Sequence, residues 1–502
     1  MNITLAYDQY LAIHRYKYLA LYHALRAAIL EGTLPGGTQL PSTRSLAMHY
    51  DLSRGSVSQV YEMLLADGYV RTVTGRGTFV SEDSFGSTSG DIKRKNMALV
   101  EAAEVAGGGS ASETAALPLS AWGERLLARP TPLYEKRSKN VVSFLSSGLR
   151  MEHFPYSEWR SALSYAGGKE GGLLQSTCPP EGDEGLRKAI AAHLRITRGI
   201  RANAEHIVLF SGSMQGIVIL TQLLLDAGSA AVVEDPGFHG IRRAVEINGG
   251  RLLVGKLDDS GLIPEDWDAR LLFVTPSRQF PTGVVLPLER RRTLLEWAQR
   301  HEAVIIEDDY DSEFRWSGRP IEPLKALDRG ERVVYVGSFS NTMFSGFRLG
   351  FAVLPPSLVK PTIAAKALYE PLPVGLLEQR ALARFMNTGG YGRHLRRMTR
   401  IYGERGRILR TMLSKQLKEL FELLPGDAGL QVYARWLRSR EEFVAFRAAA
   451  LRSGTDFRDA LLYQVSPGEP AACFAFAHLN AVELEEGIKR LLLAWEDVQS
   501  AT

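Results

Sequence analysis

Two different periodicities divide the chain. In YKYLALYHALRAAILEGTL, the apolar residues Leu19, Leu21, Leu25, Ala28 and Ile29 fall at helical spacing, and Gly32 follows as a C-terminal stop. Ser42 then opens a short helix over residues 43–49, YDL makes a turn, and Ser53 caps a second helix that sends Val57, Val60, Tyr61 and Leu64 inward. YVRTVTGRGTFV alternates and turns on Gly75 and Gly77, the pattern of a two-stranded hairpin. From about residue 140 the pattern changes. Short runs (HIVLF, AAVVEDP, RLLVG, LLFVTP, AVIIEDD, VVYVGSFS) end in Gly, Pro, Ser or Asp, and amphipathic stretches such as EGLRKAIAAHLRITRGI and LERRRTLLEWAQRHE separate them. That alternation predicts an α/β fold with a mostly parallel sheet flanked by helices.

The segment joining the two patterns, about 81–118, is rich in Gly, Ser, Ala and Glu and has little periodicity beyond one short helical patch, MALVEAAEV. It reads as a flexible linker; ~38 residues of coil span on the order of 30–35 Å. The expected organisation is therefore a helix–turn–helix with a hairpin wing over 9–81, a linker over 82–118 and an α/β domain over 119–502, with a smaller α+β subdomain from about 385.

At 502 residues, two or three domains are the prior expectation. A net charge of +4 is too small to mark nucleic-acid binding by itself, so its distribution matters. Residues 9–80 hold seven Lys/Arg against four Asp/Glu, a modest excess of the right sign for DNA. The N-terminus lacks a basic region followed by an apolar core, and no run is apolar enough to span a membrane. Cys178 and Cys473 give neither a disulfide framework nor metal-ligand spacing, which fits a reducing cytoplasm and no metal site.

Docking physics picks out the residues that would meet DNA. The first turn of the second helix offers Arg54, Ser56 and Ser58 to the major groove, where Arg donates two hydrogen bonds to guanine. Ser42, Thr43 and Ser53, at helix N-termini, suit phosphate oxygens, and Arg44 with the wing tip Gly75, Arg76 and Gly77 would grip the flanking backbone. In order, G-T-L-P-x-G-x-x-L-P-S-x-R-x-L-A, S-R-x-S-V, Y-x-x-L-x-x-x-G-Y-V and G-x-G-T-F-V closely resemble the DNA-binding domain of GntR-type bacterial regulators, from Ile29 to Val80.

In the α/β part the informative positions are strand ends, because ligands of such folds lie there. FSGSMQG places small residues before a helix, a backbone cup for phosphate. EDPGFHG offers Phe238 to lie on a flat heterocycle, IIEDDYDSEF ends in acids and a tyrosine, and GSFSNTMFSGFR supplies Ser338, Ser340 and Arg348. Phosphate cup, ring, carboxylate and phenol together describe a site for a phosphorylated pyridine.

With VVEDPGFHG, TPSRQFPTG, AVIIEDDYDSEFRW and VVYVGSFSNTMFSGFRLGFAVLP in sequence, this part resembles the effector domain of the MocR subfamily, in which a GntR-type head is joined to a fold-type I aminotransferase-like domain. The resemblance implies pyridoxal phosphate as the expected cofactor. Asp308 would meet the pyridine nitrogen, Tyr310 the ring hydroxyl and Phe238 the ring face. Ser213, the Met214 backbone, Ser338, Ser340 and Arg348 would hold the phosphate.

The chain departs from the family where it matters most. The family's covalently binding lysine falls on Asn341, whose amide is no nucleophile, so any cofactor binding is expected to be non-covalent, of the cofactor or of its adduct with an amine, and catalysis is not expected. Ser345 stands for a proline, Thr177 for a tyrosine that reaches the phosphate across the dimer, and Cys473 for an arginine that reads carboxylates in amino-acid-binding relatives. A homodimeric regulator of double-stranded DNA, with an amine or amino acid as a candidate effector, is the expected function. An aminotransferase with a DNA-binding head needs another lysine, and Lys325 and Lys360 lie in flanking segments; a DNA-independent scaffold is the third reading.

Overall fold

The computed structural model describes residues 5–82, 118–128, 141–145, 151–169, 172, 178–318 and 321–501. The predicted linker, with its helical patch, lies almost wholly outside the described residues. The chain separates into two compact units, Met1–Leu117 and Pro118–Thr502.

The first unit comprises helices α1 (Tyr7–Ile13), α2 (Lys17–Leu30), α3 (Thr43–His49) and α4 (Arg54–Ala66), then strands β1 (Val70–Val73) and β2 (Gly77–Val80). Its start is earlier than the pattern suggested, because α1 adds a buried Tyr7. In α2 the inner positions go to Ala20, Leu21, Ala24 and Leu25, while Leu19 is only half-buried. Gly32 takes the left-handed conformation (φ +77°) that ends α2, as a stop requires. Ser42 and Ser53 cap α3 and α4: their Oγ atoms accept from the amides of Ser45 (3.2 Å) and Ser56 (3.0 Å). β1 and β2 pair antiparallel, with Val70 opposite Val80, and both of those valines close the core over Leu46, Val57 and Leu64.

The second unit is built on an eight-stranded sheet. Its strands are β4 (Ile207–Phe210), β5 (Ala230–Asp235), β6 (Arg251–Asp258), β7 (Gly261–Leu262), β8 (Leu271–Val274), β9 (Val304–Asp309), β10 (Val333–Ser338) and β11 (Gly350–Val353), in the order β4-β11-β10-β9-β8-β5-β6-β7. β10, β9, β8, β5 and β6 run parallel to their neighbours, and only β11 and β7 run against theirs. Every predicted apolar run became one of these strands. β4, β8 and β11 are buried throughout, which is what helices on both faces require and why these strands are continuous apolar runs rather than alternating ones. Each Val or Ile so buried stabilises by roughly 1.5–3 kcal/mol.

Strand β3 (Val142–Ser143) pairs with β14 (Thr455–Asp456). The C-terminal subdomain follows the long helix Gly390–Gln416. Its sheet, β12-β13-β16-β15, joins Phe421–Leu423, Gln431–Trp436, Ala471–Ala475 and Arg458–Asp459. Helices Arg440–Arg452 and Ala481–Ala501 pack together beside this sheet. Among the described residues no helix is long and apolar enough to cross a membrane.

One buried ion pair fixes the end of β9. Asp309 receives the Arg198 guanidinium and the hydroxyls of Ser312 and Tyr335, the last at 2.6 Å. Burial pushes this carboxyl up, and Arg198 with the two hydroxyls outweighs that and holds it below the usual range. Arg198→Met would leave the charge buried without its cation. The expected cost is ~3–5 kcal/mol in chemical denaturation of the second unit; an unchanged midpoint would refute this role.

Candidate functional site

Parallel strands bring their carboxyl ends to one edge of the sheet, and the predicted residues gather there. Phe210 ends β4 and Gly212 follows with φ +99°, which lets the chain turn into helix Ser213–Leu224. No side chain caps that helix, so its first amides face the site. Arg348 arrives from the next segment: its Nη2 lies 2.5 Å from where a Cβ on Gly212 would be. A Cβ on Gly350 would fall 2.5 Å from the Ser213 nitrogen. Only glycine fits at both positions, and together they form a narrow cradle with a guanidinium on one side and helix amides on the other. Among the described residues Arg348 has no acid or hydrogen-bond partner.

Ser338 ends β10 opposite Gly350, and its Oγ accepts from the Ser340 amide at 3.2 Å, so the SFSN loop is tightly turned beside the cradle. Across the cradle, Met214 Sδ and the Phe238 ring both approach Gly240 within 3.2 Å of a would-be Cβ, which places the helix start beside the predicted stacking ring. Phe238 meets Phe280 edge-on at 5.6 Å, and Phe280 meets Tyr310 edge-on at 5.3 Å, a continuous aromatic wall.

Asp308 forms the floor. It is 7% exposed, and its Oδ1 is buried with no hydrogen-bond partner among the described residues. Burial, followed by repulsion from Asp309 and Asp311, pushes its carboxyl up to about 7. Asn341 directly follows the SFS turn, and its Nδ2 donates to the Tyr310 carbonyl at 3.0 Å, tying the β10 end to the β9 end. Lys325 lies at the opposite edge of the sheet, donating from Nζ to the Val333 carbonyl at the start of β10 (2.7 Å). Lys360 is exposed on helix Pro356–Tyr369. On the same helix the buried Lys366, which the pattern did not single out, is held by the Pro180 carbonyl (2.6 Å) and Glu370 (3.2 Å).

A second residue escaped the sequence reading. Arg278, in the loop after β8, is 5% exposed; its Nη1 donates to the Tyr310 hydroxyl and to Asp311, both at 2.9 Å, and its Nη2 donates to the Gln431 carbonyl. The phenol expected to greet a ligand hydroxyl is thus already accepting from a guanidinium. A lone arginine inside TPSRQFPTG, directly after an apolar strand, was the available signal. Cys473, by contrast, stands in β16 as a buried thiol, with Arg458 as its partner on the neighbouring strand. Thr177 lies outside the described residues.

In the first unit the candidate DNA face keeps its arginines free. Arg44, Arg54 and Arg76 are exposed, and among the described residues none of their guanidinium groups makes a hydrogen bond or ion pair. Other basic residues are engaged: Lys17 with Asp51 and Arg71 with Glu82, while Arg26 donates to the Tyr69 hydroxyl. Ser53 and Ser56 share a hydroxyl contact of 2.9 Å at the start of α4; Thr43 on α3 and Ser58 on α4 are half-buried. Gly75 and Gly77 have φ of +76° and +108°, and Gln39 donates to the Arg76 carbonyl at 2.7 Å, holding the wing tip outward.

The buried Asp308 carboxyl makes a checkable demand on stability. Its folded value near 7 exceeds the ordinary aspartate value of about 3.9, so its contribution is complete below that lower value and is lost as pH rises through 7. Asp308→Asn is expected to melt above the parent at pH 8 in calorimetry, with the difference smaller at pH 5 and vanishing only below about pH 4. Equal curves at both pH values would show that the carboxyl is not destabilising.

Comparison with known proteins agrees with the two-unit fold. The aminotransferase class I and II family profile matches residues 142–491, and the gntR family of bacterial regulatory proteins matches residues 17–80. The chain is 33% identical to the probable rhizopine catabolism regulatory protein MocR of Rhizobium meliloti, over 96% of this chain and 94% of that one. It is 32% identical to the HTH-type transcriptional regulator TauR of Rhodobacter capsulatus, over 84% of each. The kynurenine aminotransferase of Pyrococcus horikoshii shares the fold of the second unit, with a TM-score of 0.67 at 23% identity over 72% of this chain and 92% of that one. A winged helix–turn–helix joined to a fold-type I aminotransferase domain, the chain belongs to the MocR subfamily of GntR-type transcription regulators.

Proposed function

We propose that this regulator works as a homodimer in the cytoplasm, binding double-stranded DNA through its winged helix–turn–helix, and that its second unit holds pyridoxal phosphate without a covalent bond and without catalysing transamination. The observation that carries the reading is the pairing at the strand ends of Asn341, an amide occupied with the Tyr310 carbonyl, and Asp308, a buried carboxyl with a free oxygen.

The residues fit the cofactor. Asp308 Oδ1 would accept the proton of the pyridine nitrogen, which satisfies a group the protein otherwise leaves unpaired. Ser213, the Met214 amide, Ser338, Ser340 and Arg348 would hold the phosphate, in a cradle that a Cβ at Gly212 or Gly350 would fill. Phe238 would cover the ring, and Tyr310, oriented by Arg278, would meet its hydroxyl. When bound, pyridoxal phosphate supplies an aldehyde that condenses reversibly with amines. What this chain withholds is the amine. Asn341 offers neither nucleophile nor base, Lys325 sits at the far edge of the sheet, and Lys366 is tied to Pro180 and Glu370. A site that binds but does not turn over suits a sensor, in which a free amine or amino acid would be the effector.

On DNA, Arg54 would read a base edge, whereas Arg44 and Arg76 would neutralise phosphates. Two heads on one dimer would bind two half-sites with an avidity neither has alone. Double-stranded fragments selected for retention on the full-length protein provide the test. Arg54→Ala is expected to cost ~1–3 kcal/mol and relax sequence preference, while Arg76→Ala should weaken all sequences alike and reduce the log–log salt slope by about one. Retention indifferent to both substitutions and to salt would remove DNA binding from the account, and cofactor-dependent conversion of an amine to a carbonyl compound would restore the enzyme.

A further inference from the structure

The turn that carries the cradle is held from a distant part of the chain. Ser211 and Gly212 join β4 to helix Ser213–Leu224, and no side chain caps that helix. Glu370, which closes helix Pro356–Tyr369, supplies the restraint across 155 and 159 positions of sequence. Its Oε2 accepts from the Ser211 hydroxyl at 3.1 Å and from Gln215 Nε2 at 3.0 Å. Gln215 turns the other end of its amide to the same loop, where its Oε1 accepts from the Ser211 backbone N–H at 2.7 Å. Carboxylate, glutamine and loop thus close a ring directly before Gly212, whose positive φ of +99° lets Arg348 approach.

The second oxygen of Glu370 is as fully used as the first. The residue is 8% exposed, and its Oε1 accepts from the Val374 amide at 2.9 Å and from Lys366 Nζ at 3.2 Å. Lys366 is 1% exposed and donates also to the Pro180 carbonyl, at 2.6 Å. The lysine matters electrostatically. A bare carboxylate behind an anion site would repel the anion, most strongly where water is excluded. Paired with Lys366, Glu370 keeps its acceptors and adds no net charge. Two of its four bonds go to the cradle loop and the helix after it; an acid that only ended its own helix would need neither.

We propose that Glu370, acting through Gln215 and Ser211, is the positioning residue of the phosphate cradle, fixing how the Arg348 guanidinium faces the first amides of the helix. The inference rests on the reading of this cradle as an anion site. Without the two bonds to Oε2 the Ser211–Gly212 turn loosens, and a phosphate loses its matched donors. The residues proposed to meet the ring, Phe238, Asp308 and Tyr310, belong to other segments. The signature is therefore a loss confined to the phosphate end of a ligand.

The full-length protein and its variants Glu370→Gln and Gln215→Leu, titrated with pyridoxal phosphate and with pyridoxal, test this. Protection against heat by inorganic phosphate forms a separate arm. The parent is expected to prefer pyridoxal phosphate, and each variant to lose at least about tenfold of that preference with its affinity for pyridoxal unchanged. The double variant should lose no more than the more affected single one, because both substitutions act on one turn. Gln215→Leu leaves the Lys366–Glu370 pair in place, so it decides the matter if Glu370→Gln does not fold. Full preference retained in the folded variants, or equal losses for both ligands, would overturn the proposal. The phosphate arm separates it from the cofactor reading. Protection of the parent that the variants lose supports the positioning role even where pyridoxal phosphate fails to bind. Protection that the variants keep, or a parent that binds neither phosphate nor pyridoxal phosphate, would overturn it.

Discussion

Burying the Asp308 carboxyl with one oxygen unpaired costs free energy, and the end of β9 is organised around that cost. The neighbouring acids on the same strand are satisfied in full. Glu307 accepts from the amides of Leu324 and Lys325, and Asp309 is held by Arg198, Ser312 and Tyr335. Three acids in a row at the end of β9 therefore have three fates: one is locked to a helix start, one to a cation, and the one between them is left facing the site. The two anchored residues keep the strand end rigid, so the exposed demand of Asp308 cannot relax by local movement. On the proposed reading, a pyridinium would meet that demand better than water does.

Around that carboxyl the parallel sheet does the positioning. Strands β4, β5, β9 and β10 all end at the same edge, and the antiparallel β11 begins there, so Arg348 and Gly350 arrive beside Gly212 and Ser213 from the opposite direction. This juxtaposition sets a guanidinium against the helix start in a narrow cradle, the one proposed to hold a phosphate. Asn341 carries no amine, and the cradle, floor and wall do not depend on one. On the proposed reading binding and chemistry are separable for this reason: the first would rest on the sheet, the second on one side chain. The DNA-binding unit shows a comparable economy, since its basic residues away from α3, α4 and the wing tip are largely engaged and those at the tips are not.

Most of this architecture was legible in the sequence because it depends on local signals. The buried strands are unbroken Val/Ile/Leu runs, the helix caps are serines at the right offset, and the strand-end residues follow directly from where those runs stop. Arg278 was not legible in the same way. Its role is defined by Tyr310, Asp311 and Gln431, residues 32, 33 and 153 positions away, and no local pattern announces such contacts. Strand β11 was hidden because four residues, GFAV, carry too little periodicity to separate it from the loop before it. Helix α1 was missed for a related reason, since seven residues with a single buried side chain, Tyr7, offer no face to recognise.

The measurement that bears most directly on the central claim is titration of the purified full-length protein with pyridoxal phosphate by calorimetry and visible spectrum, followed by borohydride treatment and intact mass. The account expects saturable binding, weakened when Asp308 is replaced by Asn, and a protein mass unchanged after reduction. Mass added on a lysine, with the cofactor retained through denaturation, would mean that another amine does the work denied to Asn341. Absence of any binding would mean that Asp308 and the cradle serve some other ligand.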